Sequence, residues 1–195
     1  FPEYYEQYFS RRMMGGSIVP RTPLVCTGPI AYRGQAAIRQ DIENLKLAMT
    51  GLNIAEAFMP AVAPSGVGKN KYYRSDEEYL AAVGDALREE YLAIVDAGFI
   101  LQIDDPWLTE VHSQDPTLSA AERRRIAERS VDAINHAIRG IPAEKIRFHT
   151  CYGINEGPRV HDAPLKEIVD LILKVNAGAY AFEAANPRHE HEYHV

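Results

Sequence analysis

Apolar positions along this chain fall into two alternating patterns: short unbroken runs, and stripes at helical spacing closed by glycine. Tyr4, Tyr5, Tyr8 and Phe9 have helical spacing and stop at Gly15-Gly16, which predicts an N-terminal helix and a loop. Leu24 to Cys26 predicts a first strand, followed past Gly28-Pro29 by a helix with Ile38, Ile42, Leu45 and Met49 on one face, ended by Gly51. Ile54 to Met59 predicts a second strand, and Pro60 to Tyr73 a long loop. Ser75-Asp76-Glu77-Glu78 has the form of a capping box, opening a long helix with Leu80, Val83, Leu87, Tyr91 and Ile94 on its buried stripe and Gly98 at its end. The alternation continues with a third strand at Phe99 to Ile103 and a capped helix from Ser119 carrying Ala127, Val131, Ile134 and Ile138, closed by Gly140. A fourth strand, Ile146 to Phe148, precedes a helix marked by Leu165, Ile168, Val169 and Ile172, and Ala179 to Phe182 predicts a fifth.

Strands that alternate with helices return in the same direction and form a parallel sheet. Asp104, Asp105, His149, Cys151 and Glu183 all fall where strands end, as residues around the mouth of a β/α barrel do, and the first strand lacks the G-x-G-x-x-G turn of a dinucleotide-binding open sheet. The expected fold is therefore α/β, a (β/α)8 TIM barrel present as about five of its eight units. Residues 1–195 form one domain in this reading. Five strands alone would leave two open edges and a bare core face, so the expectation is the central part of a longer chain or completion by another segment.

Composition narrows the function classes. With 195 residues, 46% apolar and 25% charged, the chain can bury an ordinary core. A net charge of −6, with no basic block beyond Arg123-Arg124-Arg125, argues against a nucleic-acid groove or an anionic membrane surface. No apolar run is long enough to span a bilayer, and the first residues lack a signal peptide's basic and apolar regions, so a cytoplasmic protein is expected. Two cysteines, Cys26 and Cys151, cannot make a disulfide framework, which leaves room for a thiol with a chemical task.

His149-Thr150-Cys151 is a His-x-Cys at a strand end, where residues two apart share a face and can converge on one ion. Zinc suits that donor pair, against the plainer reading of a buried thiol beside a hydrogen-bonded imidazole. Glu183 ends the next strand, where a carboxylate is rarely tolerated unless paired or bound to metal. Asp104 and Asp105 before Pro106 could divide acid and base roles, hold an ammonium group, or simply cap the loop. Arg159, His161 and Arg188 could meet an anionic substrate or form salt bridges on the rim. Tyr72 and Tyr73 could stack on a flat ligand or cover the barrel top. The tail His189-Glu190-His191-Glu192-Tyr193-His194 is rich in ligand-type side chains, with His189 and His191 nearly in step with Glu183, but low-complexity His/Glu runs of this kind read as solvated loops.

At Ile103-Asp104-Asp105-Pro106, His149-Thr150-Cys151 and Phe182-Glu183 the chain resembles the catalytic barrel of cobalamin-independent methionine synthases. The resemblance implies a methyltransferase that passes a methyl group to homocysteine, from a methyl-folate such as 5-methyltetrahydropteroyltriglutamate. It implies Zn2+ held by His149, Cys151 and Glu183, with a further Cys beyond Val195, and it implies that Asp104 binds the amino group of homocysteine. Asp105 stands where the family has Glu, the stretch from Ile154 to Ala163 resembles an insertion, and no Trp follows the second strand as the family's folate contact does. Related readings are a zinc thiol alkyltransferase acting on another thiol such as coenzyme M, and a metal-free decarboxylase of the uroporphyrinogen type. A non-catalytic subunit of a larger assembly is the reading from another class.

Overall fold

The computed structural model describes residues 24–109, 117–152, 162–182 and 187–195, together with Pro2, Glu3, Glu6 and Ala185. The predicted N-terminal helix lies outside the described residues except at Pro2, Glu3 and Glu6, which are helical; Arg159, His161, Glu183 and most of the Ile154 to Ala163 stretch also lie outside.

Among the described residues six strands and four helices of two or more turns follow one another, alternating except that β3 follows β2. They are β1 (Val25–Cys26), α1 (Gln35–Ala48), β2 (Phe58–Val62), β3 (Lys69–Asn70), α2 (Asp76–Asp96), β4 (Ile100–Asp104), α3 (Ala120–Ala137), β5 (Ile146–Thr150), α4 (Leu165–Ile172) and β6 (Ala179–Phe182). β2, β4, β5 and β6 form one parallel sheet whose order follows the chain. An order without reversal means that every crossover turns the same way and every connecting helix lies on one face. That face carries Met59, Ala61, Leu101, Ile103, Ile146 and Phe148, all buried against Tyr91 and Ile94 of α2, Val131 and Ile134 of α3, and Ile168 and Ile172 of α4. No described helix is long and apolar enough to cross a membrane.

The other face carries Phe58, Pro60 and Val62 of β2, Gln102 and Asp104 of β4, and Arg147 and His149 of β5, in register. Phe58 and Val62 are exposed there, and the Arg147 guanidinium sits 4.5 Å above the Phe58 ring. Polar and solvent-facing groups thus occupy the side away from the helices.

Two expected strands are corrected. Leu24 to Cys26 is extended, but it pairs in parallel with β3 in a separate two-stranded ribbon rather than beginning the main sheet. Leu24 and Val25 are exposed, so this apolar run is too short and too wet to act as a core strand. The ribbon closes tightly because Gly68, at φ +131°, has no Cβ; one would lie 2.9 Å from the Leu24 carbonyl oxygen. The second strand runs over Phe58–Val62 rather than Ile54 to Met59, so Pro60 lies within a strand and not at the start of a loop. It is tolerated because β2 is an edge among the described strands: Ala57 O and Ala63 N bond to β4, so Pro60, of opposite parity, faces away from that ladder.

Candidate active site at the strand ends

The carboxyl ends of β4 and β5 bring the predicted residues together in part. Asp104 and His149 are register partners, and His149 Nδ1 lies 3.0 Å from Asp104 Oδ1. The same oxygen accepts a hydrogen bond of 2.8 Å from Gln102 Nε2. These three side chains share the helix-free face because residues two apart on a strand point the same way. Gln102 is buried, and its Oε1 has no hydrogen-bond partner among the described residues, an arrangement that costs about 1–3 kcal/mol. Sequence reasoning missed Gln102, although its position two residues before Asp104 was a usable signal.

Asp105, the next residue, points elsewhere and is fully buried. Its Oδ1 accepts from the backbone N–H groups of Trp107 and Leu108 at 3.0 and 3.1 Å, and its Oδ2 accepts from Ser65 Oγ at 2.8 Å. It therefore caps the helical turn that starts at Trp107, the plainer of the readings for an Asp before Pro. Burial pushes its pKa up to about 6, against the opposing pull of the Ser65, Leu108 and Trp107 hydrogen bonds. The paired-acid arrangement for Asp104 and Asp105 is thus not formed: the two carboxylates serve different faces.

The turn after β5 is tied to the turn after β4. Thr150 Oγ1 donates to the Asp105 carbonyl at 2.8 Å, and Thr109 Oγ1 donates to the carbonyls of Pro106 and Cys151. Cys151 is buried just beyond the strand end. Of the three predicted metal ligands, His149 and Cys151 are described and Glu183 is not; among the described residues no three ligating side chains form a metal cage.

Tyr152 connects this turn to the C-terminal tail, where the solvated-loop expectation holds for Glu190, His191, Tyr193 and His194, which are exposed, and is corrected at His189 and Glu192. Its ring stacks on His189, with centroids 3.5 Å apart and planes 11° apart. His189 and Glu192 are buried, and His189 presents Nδ1 to Glu192 Oε2 at 2.8 Å and Nε2 to Asp162 Oδ2 at 3.1 Å. Glu192 Oε1 also accepts the Leu165 N–H at the start of α4. Burial would raise the Glu192 pKa, but the bonds from His189 and Leu165 outweigh it and hold it below the ordinary value. Tyr72 is exposed and meets Tyr73 edge-on, while Tyr73 Oη accepts from the Ile30 N–H. The pair braces the loop at β3.

Sequence and fold comparisons point to one kind of protein. Over 113 residues the chain is 32% identical to the methionine synthases of Saccharolobus islandicus strain L.S.2.15 and of Saccharolobus solfataricus. A vitamin-B12 independent methionine synthase, so assigned, from Listeria monocytogenes superposes on 80% of the chain with a TM-score of 0.56 and 25% identity. The chain resembles the methionine synthases. The match takes in 57% of the chain but 27% of the Saccharolobus proteins, and the superposition takes in 46% of the Listeria chain. No family model matches.

Proposed function

We propose that this chain carries the metal-binding strand of a zinc-dependent methyltransferase that methylates homocysteine to methionine. The observation that supports this reading most is the Asp104–His149 contact at adjacent strand ends, where the methionine-synthase resemblance puts the amine-binding carboxylate beside a metal ligand. The fold reading that accompanies it is a partial (β/α)8 barrel. Parallel strands in chain order, with helices on one face and Gln102, Asp104, Arg147 and His149 on the other, suit a barrel whose interior is that second face.

His149, Cys151 and Glu183 would hold the zinc. The described part of the set fits the ion: an imidazole backed by a carboxylate on its second nitrogen, and a thiol two residues on, are donors that zinc takes readily. Bound zinc holds a thiol as its nucleophilic thiolate at neutral pH. Asp104 positions the amino acid by accepting from its ammonium group at Oδ2, since Oδ1 already serves Gln102 and His149. Asp105 keeps the β4 turn fixed beneath the site through its three hydrogen bonds, and the methyl donor in this reading is a methyl-folate.

Metal content of the purified full-length protein tests the proposal. The parent should carry about one zinc per chain, and both His149→Ala and Cys151→Ser should lose it while staying folded. A folded parent without zinc, or one whose zinc survives both substitutions, overturns it.

A further inference from the structure

Gln102 and Asp104 lie two residues apart on β4 and share the helix-free face. The Gln102 amide donates from Nε2 to Asp104 Oδ1 at 2.8 Å. A carboxylate only accepts, so this bond fixes which way the amide is turned and leaves Oε1 as an acceptor. Gln102 is 8% exposed, and its Oε1 is buried with no hydrogen-bond partner among the described residues. The cation set opposite it in the ladder, Arg147, holds its guanidinium 4.5 Å above the Phe58 ring instead. Asp104 repeats the asymmetry. Its Oδ1 is engaged by Gln102, while Oδ2, on a side chain 35% exposed, takes no hydrogen bond among the described residues.

One hydrogen-bonded pair thus holds two acceptors that lack donors, one charged and one neutral. Resting on the homocysteine reading above, we infer that Gln102 and Asp104 together recognise the primary ammonium of the amino-acid substrate, Asp104 at Oδ2 and Gln102 at Oε1, which makes Gln102 a specificity-determining residue. An ammonium carries three N–H donors and no acceptor, so a single group serves both oxygens, whereas an amine-free thiol serves neither. The terminal torsion of a glutamine is soft, so Oε1 can turn toward a group seated at Oδ2 while Nε2 stays on Oδ1. A buried acceptor without a donor disfavours the empty site, and a ligand that supplies the donor removes that disadvantage. The same pair rejects an analogue without the amine, because its own polar atoms are then left unpaired.

Calorimetry on the purified full-length protein tests this with L-methionine and with methylthiobutanoate, the same molecule without its amino group. Neither ligand has a free thiol, so neither needs zinc to hold a thiolate. The parent should prefer methionine by about 10-fold or more. Gln102→Met keeps the length of the side chain without its acceptor, and it should weaken methionine binding about 10-fold while leaving methylthiobutanoate unchanged. A side chain that only supports the fold would weaken both ligands alike. A ligand series on the parent gives a reading that needs no variant. N-methylmethionine keeps two N–H donors and should bind nearly as well as methionine, whereas N,N-dimethylmethionine keeps one and should bind about 10-fold more weakly.

An unchanged preference for methionine in Gln102→Met overturns the inference, as does a parent that binds methionine no better than methylthiobutanoate, or takes the dimethyl compound as well as methionine. Any of these results leaves the zinc reading standing where His149→Ala still loses metal. A parent without zinc sinks the proposed function instead, and the methionine pair still decides what Gln102 reads.

Discussion

Asp104 and Asp105 are chemically the same residue, one peptide apart, and the structure gives them opposite surroundings. Strand alternation sends Asp104 to the helix-free face and Asp105 into the packed turn, where it is fully buried under Ser65, Trp107 and Leu108. Its raised pKa has a consequence for stability. Between the ordinary carboxylate value and about 6, the folded state holds a proton that the unfolded state has released, so stability falls as pH rises through that window. The loss is complete above about pH 6 and amounts to about 3 kcal/mol. Asp105→Asn preserves the cap, with its amide nitrogen donating to Ser65 in place of the reverse. Urea titrations should show the parent's stability declining between pH 4 and 6 and the variant without that decline; an unchanged slope in the variant would assign the decline to another group.

At the scale of elements, caps and edges decide where the pattern stops. α3 opens with a complete capping box, Ser119 accepting from the Glu122 N–H while Glu122 accepts from the Ser119 N–H. α2 shows half of the predicted box: Ser75 accepts from the Glu78 N–H, but Glu78 reaches one residue further back, to the Arg74 N–H. β2 illustrates how an edge is managed. Its outward carbonyl at Val62 is taken by Tyr91 Oη, which donates at 2.6 Å from a ring wholly buried in the core. Removing that hydroxyl in Tyr91→Phe strands a carbonyl at the sheet edge and should cost about 1–2 kcal/mol in chemical denaturation, with the apolar packing intact. A neutral result would mean that solvent reaches the Val62 carbonyl and replaces the bond.

For the molecule as a whole, the tail acts as a clamp. His189 joins Asp162, ahead of α4, to Glu192, whose other oxygen receives the first N–H of α4, and Tyr152 carries the contact on to the β5 turn. The His189, Asp162 and Glu192 side chains are no more than 10% exposed. His189→Ala would leave two buried carboxylates with one fewer partner each, so a loss of about 3–5 kcal/mol in denaturation free energy at neutral pH is expected. The difference should shrink in acid. Glu192 has its pKa held down in the folded state, so its contribution is present above the ordinary glutamate value and disappears as pH falls through the depressed one. A loss below about 1 kcal/mol would show the cluster to be solvated like a surface pair.

The sequence by itself determined the α/β alternation, the helix stripes, the glycine stops at Gly51, Gly98 and Gly140, and the strand ends that carry Asp104 and His149. Each depends on periodicity or on backbone conformation, which neighbours in the chain set locally: all three glycines have positive φ. Four assignments needed tertiary structure. Leu24 to Cys26 left the main sheet for β3, Pro60 entered a strand that is an edge among the described ones, Asp105 became a cap, and His189 and Glu192 of the tail turned inward. Those outcomes rest on which segment lies alongside another, and a local pattern does not encode it: a proline fits a strand only where no neighbour needs its N–H, and His189 is buried where a distant carboxylate, Asp162, meets it as well as the nearby Glu192. The Asp104–His149 contact lies between the two cases. Its residues were legible as strand ends, but only the parallel register of β4 and β5 set them opposite each other.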